Sequence, residues 1–465
     1  MDPEPLPEPS TGLFSRPYRS CTTAVASVFA LVALTELALG TVMPTAVRDL
    51  DGLSLYALVF GGCLTAGIVG TVVGGDRADR TGPGPVLYAG LACLALGALA
   101  AGLATTILPF LLGRCIQGAG GGAVTVALYT VVGRAYPASL RPRMFSLVTA
   151  CWILPSMLGP PVVGTIAQHT SWRWVFHAIA ALAAGATLLF TRPLRRLPPP
   201  APEATGRPAA RIRPALTVAA GAGLLQYAGT DPGWRSLPFA AGGLALVAVS
   251  VRALLPRGTL RARGGLPALV LLRGVAAGAY FTAESFIPLM LVDERRLSPA
   301  AAGTSLTGAA LTWAAASWLQ ARPGLRLPRR RVVAIGALVH FGAAVLTIGG
   351  VLREAPAVTA ALGLALAGFG MGLLLPGVGV LTLELSERNQ QGANSAALQL
   401  ADSLCSVLLI GLCGAVFNTA HTRPGQDAGA FALVFTVVAA VAGLACVLAG
   451  RITTPLTKEE AHAPL

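Results

Sequence analysis

The stretch ILPFLLGRCIQGAGGGAVTVALYTV, residues 107–131, carries a single charge, Arg114, among apolar and small residues. As a helix rising 1.5 Å per residue it would extend about 37 Å, enough to cross the roughly 30 Å hydrocarbon core of a bilayer. An arginine at the centre of such a span costs about 2.5–3.5 kcal/mol on insertion scales, so Arg114 is expected to face protein rather than lipid. Gly118, Gly120, Gly121 and Gly122 follow it. Small residues let helix backbones approach closely in lipid. The stretch therefore reads as an interior membrane helix, and the fold depends on how often the pattern recurs.

It recurs along the whole chain. Runs of comparable length fall at about 23–47, 55–75, 86–104, 107–131, 143–168, 174–192, 213–231, 235–255, 264–292, 299–320, 328–352, 356–384, 391–418 and 428–451, giving fourteen predicted spans. The composition agrees. Of 465 residues, 54% are hydrophobic and only 12% charged, against roughly 25% charged in soluble domains. Mean hydropathy is +0.69. A chain with so little charge lacks the polar surface a soluble protein needs, so the predicted class is an all-α integral membrane protein.

The net charge of +14 comes from 34 basic and 20 acidic residues. The basic residues lie in short clusters between apolar runs, which suits membrane loops and not a nucleic-acid surface. Cytoplasmic loops carry the excess of Lys and Arg. With the N-terminus in the cytoplasm, 25 basic residues fall on that side, 7 fall outside, and Arg114 and Arg273 lie within spans. That ratio places both termini in the cytoplasm and favours an even number of spans. Met1 to Ser20 is polar and Pro-rich, without the apolar core of a secretory signal. The eight cysteines lie almost entirely inside apolar runs, with no zinc-ligand spacing or disulfide framework, and read as small packing residues.

Arg192 to Pro214 is the longest internal polar stretch, rich in proline and arginine, and reads as a cytoplasmic linker. A weak internal echo flanks it. Glu36, Pro44 and Asp49 close the first span, and Glu284, Pro288 and Asp293 close the ninth. The expected organisation is a six-helix bundle over 1–192, the linker and two inserted helices over 193–263, and a second six-helix bundle with a short tail over 264–465. Parallel six-helix repeats are a transporter architecture.

Three segments sharpen this. GDRADRTGPGP, Gly75 to Pro85, holds Gly75, Asp79, Arg80 and Gly82 in the spacing of a charged tight turn. GRCIQGAGGGA, Gly113 to Ala123, holds Arg114, Gln117, Gly118 and Gly120. LPSMLGPPVVG, Leu154 to Gly164, holds Gly159, Pro160 and Gly164 in a proline-kinked helix, followed by SWRWVF from Ser171. Together they resemble the loop, span 4 and span 5 motifs of the major facilitator superfamily, and more narrowly its 14-helix drug:proton antiporter branch. The resemblance covers essentially the whole chain. It implies that Gly75, Asp79, Arg80 and Gly82 form a gating loop that latches the two halves on the cytoplasmic side. Pro83, Gly84 and Pro85 replace the basic residues usual there, which weakens the expected latch. It also implies a role for Arg114 in proton coupling, and that Gly159, Pro160 and Gly164 mark an exchanger. Pro155 stands where the family often has glycine.

Carboxylates within spans are expensive and are functional candidates by default. Glu36 lies near the middle of span 1, Glu284 within span 9 and Asp402 within span 13. Competition between a proton and a cationic substrate for one such carboxylate would couple their movements. Glu36 is the expected principal proton carrier with Arg114 as its modulator; Glu284 and Asp402 are further candidates. Gln117, Trp152, Gln226, Asn394 and Gln399 are expected to line the substrate cavity, with Tyr56, Tyr280, Phe281 and Trp313 as additional aromatic candidates. Arg273, near the start of span 9, is expected to snorkel to the headgroups. No Walker-type phosphate loop, metal cluster or nucleophile constellation is evident, so no cofactor and no enzymatic activity are expected, and the proton gradient is the available drive.

The reading that combines these features is a monomeric, multi-pass antiporter of the cytoplasmic membrane that exports amphipathic drugs or secondary metabolites in exchange for protons. A proton-independent uniporter or a symporter for a metabolite remains open, as does a receptor or scaffold that keeps the fold without transport.

Overall fold

The computed structural model describes residues 12–137, 140–194, 209–231, 233–320, 327–352, 354–386, 391–421 and 427–452. Among them the chain is all helical. The order is α1 (Arg19–Asp49), α2 (Tyr56–Thr81), α3 (Pro83–Leu103), α4 (Ile107–Ala135), α5 (Arg141–Ala150), α6 (Ile153–His169), α7 (Trp172–Leu189) and the short α8 (Thr191–Leu194). There follow α9 (Ala209–Ala228), α10 (Leu237–Leu254), α11 (Leu266–Asp293), α12 (Pro299–Gln320), α13 (Arg329–Gly349), α14 (Val358–Glu384), α15 (Gln391–Ala420) and α16 (Ala428–Ala449).

Eleven of the described helical segments are long and apolar enough to cross a membrane, and the chain is a multi-pass membrane protein. The predicted runs that fall short do so for visible reasons. The run at 143–168 is broken at Cys151 and Trp152 into α5 and α6, and Pro160 and Pro161 lie inside α6. α12 is diluted by serine, threonine and glycine, and α9 opens on Arg211, Arg213 and Pro214. Residues 195–208, most of the predicted linker, lie outside the described residues.

Helices α1 to α7 pack chiefly on one another, as do α11 to α16. α9 and α10 pair together, and α9 also lies against α2 of the first half and α15 of the second. Direct contact between the halves runs through α6 on α12, α2 on α15, and α1 on both α11 and α12. α11 is the most enclosed helix, apolar or small on nearly every face and buried along almost its whole length. α3, α10 and α13 instead turn much of their apolar surface outward, as helices facing lipid do.

Contacts at one end of the molecule, the Asp49 end, link seven interhelical turns. Trp172 and Arg173, opening α7, donate to the Asp49 carboxylate at 3.0 and 2.7 Å, and Arg173 also reaches the Ala104 carbonyl between α3 and α4. Arg295, after α11, donates to the Gly350 carbonyl at 2.9 Å, between α13 and α14. The Glu294 carboxylate accepts from the Asp427 N–H at 2.7 Å, between α15 and α16. Asn418 donates to the carbonyls of Ser54 at 2.8 Å and Gly229 at 2.9 Å, joining α15 to the α1–α2 and α9–α10 turns. Arg48 of α1 pairs with the fully buried Asp293 of α11, so the ring crosses from one half to the other.

At the opposite, Asp79 end, the polar contacts among the described residues stay within one half. Arg80 pairs with Asp76 on its own helix at 3.3 Å. Arg134 donates to the Ala78 carbonyl at 3.4 Å, and the Thr22 and Tyr136 hydroxyls share a hydrogen bond of 2.8 Å. In the second half, Asn394 donates to the Ser386 hydroxyl at 2.8 Å, and Arg329 approaches Glu384 at 4.0 Å.

Candidate functional site

Glu36 has the position of a buried group and the exposure of a solvated one. It lies thirteen residues before the end of α1, about 20 Å along the helix axis, yet its side chain is exposed. Its electrostatic neighbours explain this. Arg114 of α4 acts on it from the first half, and it acts in turn on Glu284 of α11 in the second half. A side chain between α4 and α11 faces the space between the halves, not lipid. Glu284 itself is half-buried.

Arg114 is 2% exposed. It donates through Nη1 to Gln117 Oε1 at 2.5 Å, one turn along the same helix. Its Nε and the Gln117 amide nitrogen find no acceptor among the described residues. Cys63 of α2 lies beside the guanidinium and feels both it and Glu36. The glycines after Arg114 make this closeness possible: a Cβ on Gly118 would stand 2.1 Å from the Cys63 carbonyl, and one on Gly122 would stand 2.1 Å from the Gly67 carbonyl. Helix α4 therefore holds Arg114 against α2 with part of its hydrogen-bonding capacity unused.

Asp402 belongs to a different arrangement. It accepts from Arg273 through both carboxylate oxygens, with Nε at 3.0 and 2.8 Å and Nη2 at 2.7 Å. The expectation that Arg273 snorkels to the headgroups is corrected here: the guanidinium turns inward and clamps α11 to α15. The packing is close enough to hold it there, since a Cβ on Gly274 would meet the Ala401 carbonyl at 2.8 Å. Arg273 lies eleven residues before Glu284 on α11, about 16 Å toward the Asp79 end, so the Asp402 pair sits at another level from the Glu36 group.

The predicted cavity residues also separate. Gln117 is buried as the partner of Arg114. Trp152 is 40% exposed, at the break between α5 and α6. Gln226 is buried where α9 meets α2 and α15, and donates to the Val407 carbonyl at 3.3 Å. Asn394 is buried against Ser386, whereas Gln399 is exposed on α15. In the predicted gating loop, Asp79 and Arg80 are both exposed. Gly82 makes the turn at φ 85°, a left-handed value that glycine adopts without strain, and Gly75 faces Val126 of α4. Gly159, Pro160 and Gly164 place α6 between the halves. A Cβ on Gly159 would meet Leu34 of α1 at 3.3 Å, one on Gly164 would stand 2.5 Å from Ala300 of α12, and Pro160 faces Gly303 of α12.

Three polar contacts between the halves were not singled out from sequence, among them the bond from Asn418 to the Ser54 carbonyl described above. The Arg48–Asp293 pair had a partial signal, a basic residue at the end of span 1 and an acid at the end of span 9. The Tyr56 hydroxyl donates to the Ser285 carbonyl at 2.6 Å, and sequence gives no sign of a backbone acceptor. The eight cysteines are all free.

A multi-pass helical protein with two halves, a charged cluster between them and a closed ring at one end defines the class of a membrane transporter. The profile of the Major Facilitator Superfamily matches residues 25–407, and the chain belongs to that family. It is 27% identical over 484 aligned residues to a probable multidrug-efflux transporter of Mycobacterium tuberculosis, covering 93% of this chain and 94% of the relative. It is 25% identical over 403 residues to a multidrug transporter of Bacillus subtilis, covering 83% of this chain and 73% of that one. Among solved structures, a peptide transporter superposes with a TM-score of 0.71 at 15% identity, covering 95% of this chain and 96% of the other. A D-xylose–proton symporter gives 0.66 at 16% identity, covering 94% and 98%. These last two likenesses are of fold.

Proposed function

We propose that the protein exports amphipathic drugs or secondary metabolites in exchange for protons, by alternating access between two six-helix bundles. In this reading the bundles span 1–192 and 264–465, α9 and α10 are the inserted pair, α5 and α6 together form one span, and fourteen spans leave both termini in the cytoplasm. The chain works as a monomer, with protons and one small molecule as its partners.

The observation that carries the reading is Glu36, exposed between the halves with Arg114 on one side and Glu284 on the other. Such a carboxylate can meet a proton or a cationic substrate from whichever side is open. Arg114 keeps a donor free for it when it is ionised. The ring at the Asp49 end supports a state closed toward the outside, with the Glu36 cluster reached from the cytoplasm. In that state Gly159, Pro160 and Gly164 hold α6 at the contact with α12, where rocking of one bundle on the other would be resisted or released. The names of the mycobacterial and Bacillus relatives support export of drugs.

The test uses inverted membrane vesicles with an imposed proton gradient, a panel of lipophilic cationic dyes and antibiotics, and an internal pH probe. Substrate-dependent proton release that disappears in Glu36→Gln is the expected result. Release that survives in that variant moves the proton site to Glu284 or Asp402. Substrate flux indifferent to the gradient overturns antiport in favour of uniport.

A further inference from the structure

The Tyr56 hydroxyl crosses from α2 in the first half to the Ser285 carbonyl of α11 in the second, at 2.6 Å. Both residues are buried, Tyr56 at 1% exposure and Ser285 at 5%. The acceptor is a backbone carbonyl inside a helix, an unusual target because such carbonyls normally bond the N–H four residues on. Pro288 has no N–H, so the neighbouring carbonyl, that of Glu284, lacks its usual helical donor. Tyr56 bonds the next carbonyl along, one residue from Glu284. The Tyr56 ring then packs on Phe60 and edge-on against Phe286, with centroids at 5.2 and 5.7 Å, and Phe286 leads on to Phe417 of α15 at 6.1 Å. Two turns further along α11 lies Asp293, the partner of Arg48.

We propose that Tyr56 is the positioning residue through which the charge on Glu284 is felt at the Asp49-end closure. The inference rests on the assignment of Glu284 to the proton-coupling cluster made above. Glu284 faces Glu36 of α1, and Tyr280 one turn back on its own helix. α13 brings His340 to the Tyr280 ring at 6.4 Å. α12, α14, α15 and α16, also packed on α11, bring no further charged group to it among the described residues. Glu36 and Glu284 come from opposite halves, so when both are ionised their like charges push the halves apart, and neutralising Glu284 removes that push. The push bears on the α11 turn that Tyr56 grips, and the Tyr56 hydrogen bond carries the change to the α1–α2 turn. Without the hydroxyl, the ring at the Asp49 end would no longer respond to Glu284.

The experiment is hydrogen exchange of the full chain in lipid nanodiscs, followed in peptides covering 49–56 and 294–298, for wild type, Glu284→Gln, Tyr56→Phe and the double variant. In alkaline buffer, where both carboxylates can carry charge, Glu284→Gln is expected to slow exchange at both turns by about two-fold or more, the lower end of measured pairwise couplings. In the Tyr56→Phe background the same substitution should leave exchange unchanged within error. Equal slowing in both backgrounds overturns the proposal and leaves Tyr56 a packing residue, as does an absence of slowing in wild type. Phe417→Leu, which removes the ring packed on Phe286 and leaves the Tyr56 hydroxyl in place, provides a second route should Tyr56→Phe fold poorly: the Glu284→Gln shift should persist there, and its loss would assign the coupling to ring packing and overturn the role of the hydroxyl. Ethidium-driven proton release, measured on the same wild-type protein in proteoliposomes, separates the two readings. Coupling in exchange without any such release upholds the role of Tyr56 while removing support for antiport.

Discussion

Two arginines lie inside membrane helices, one in each half of the chain, and the protein holds them differently. Arg273 is clamped by Asp402 with three hydrogen bonds, both groups largely enclosed at 15% and 9% exposure. Arg114 is more deeply buried, yet its close hydrogen bond is to a neutral amide, and its Nε has no acceptor. Its carboxylate neighbour Glu36 acts on it electrostatically and stands open to the space between the halves. A charge that has already found its counter-ion fixes structure. A charge left partly unsatisfied beside an accessible carboxylate can respond when that carboxylate gains or loses a proton. The difference separates a fastening from the site proposed above for proton coupling, although both look alike as charged residues in apolar runs.

The largest expected effect breaks the fastening. Asp402→Ala strands Arg273 and should destabilise the protein by about 3–5 kcal/mol, read as a loss of thermal stability in detergent. Replacing both partners, Arg273→Met with Asp402→Leu, should recover most of that loss, because buried ion pairs often exchange for apolar residues at little cost. Failure of the double variant to recover would mean that the pair does more than hold α11 to α15.

On the other side of the comparison, Glu36→Gln should lower substrate-driven proton release by about 100-fold, the scale of a positioned proton-transfer group. Its stability should change by no more than about 0.5 kcal/mol, as for a surface position. Comparable instability in Glu36→Gln and Asp402→Ala would erase the distinction. Gln117→Leu sharpens it further. Arg114 then loses its acceptor, and a buried hydrogen bond to a charged group is worth about 1.5–3 kcal/mol. The expected outcome is a moderate loss of stability together with a shifted pH dependence of proton release, whereas Asp402→Asn should leave that pH profile in place.

The smallest effect lies at the Asp49 end. Hydrogen bonds from Arg173 and Trp172 hold the Asp49 carboxyl below the usual carboxylate range. A depressed folded-state value means that the contribution is complete above the unfolded value of about 3.9 and is lost as pH falls through the folded one. Both partners are at least a third exposed, so Arg173→Gln should cost at most about 1 kcal/mol at neutral pH. The difference between variant and wild type should vanish in strongly acidic buffer. Thermal unfolding across pH checks this, and a difference that persists there would assign the stabilisation to the stacking of Arg173 on Trp172 instead.

Much of the fold was legible because lipid imposes a simple rule: a spanning helix must be long and apolar, and a charge within it stands out. The repeated runs and the three motif segments could be read directly from residues. Glu36, Glu284 and Arg114 were legible for the same reason, and the structure brings these three together. Asp402 satisfied the same rule, and the structure pairs it with Arg273 at another level. Its partner, Arg273, is 129 residues away in the chain, and spacing along one helix gives no view of which side chain stands opposite. The broken span at Cys151 and Trp152 shows the converse, since hydropathy averages over a break that backbone geometry makes.

Sequence by itself determined that this chain lives in a membrane, that it crosses many times, and which few residues carry charge into the apolar interior. These are properties of composition and local pattern, set by the cost of moving charge and unpaired backbone out of water. Tertiary structure alone decided which charges are neutralised and which are left available: Arg48 with Asp293, Arg273 with Asp402, Arg114 with its Nε unsatisfied among the described residues. Those choices depend on distances of a few ångströms between helices far apart in the chain. They are fixed by how glycine-lined faces such as Gly118, Gly164 and Gly274 let one helix settle against another.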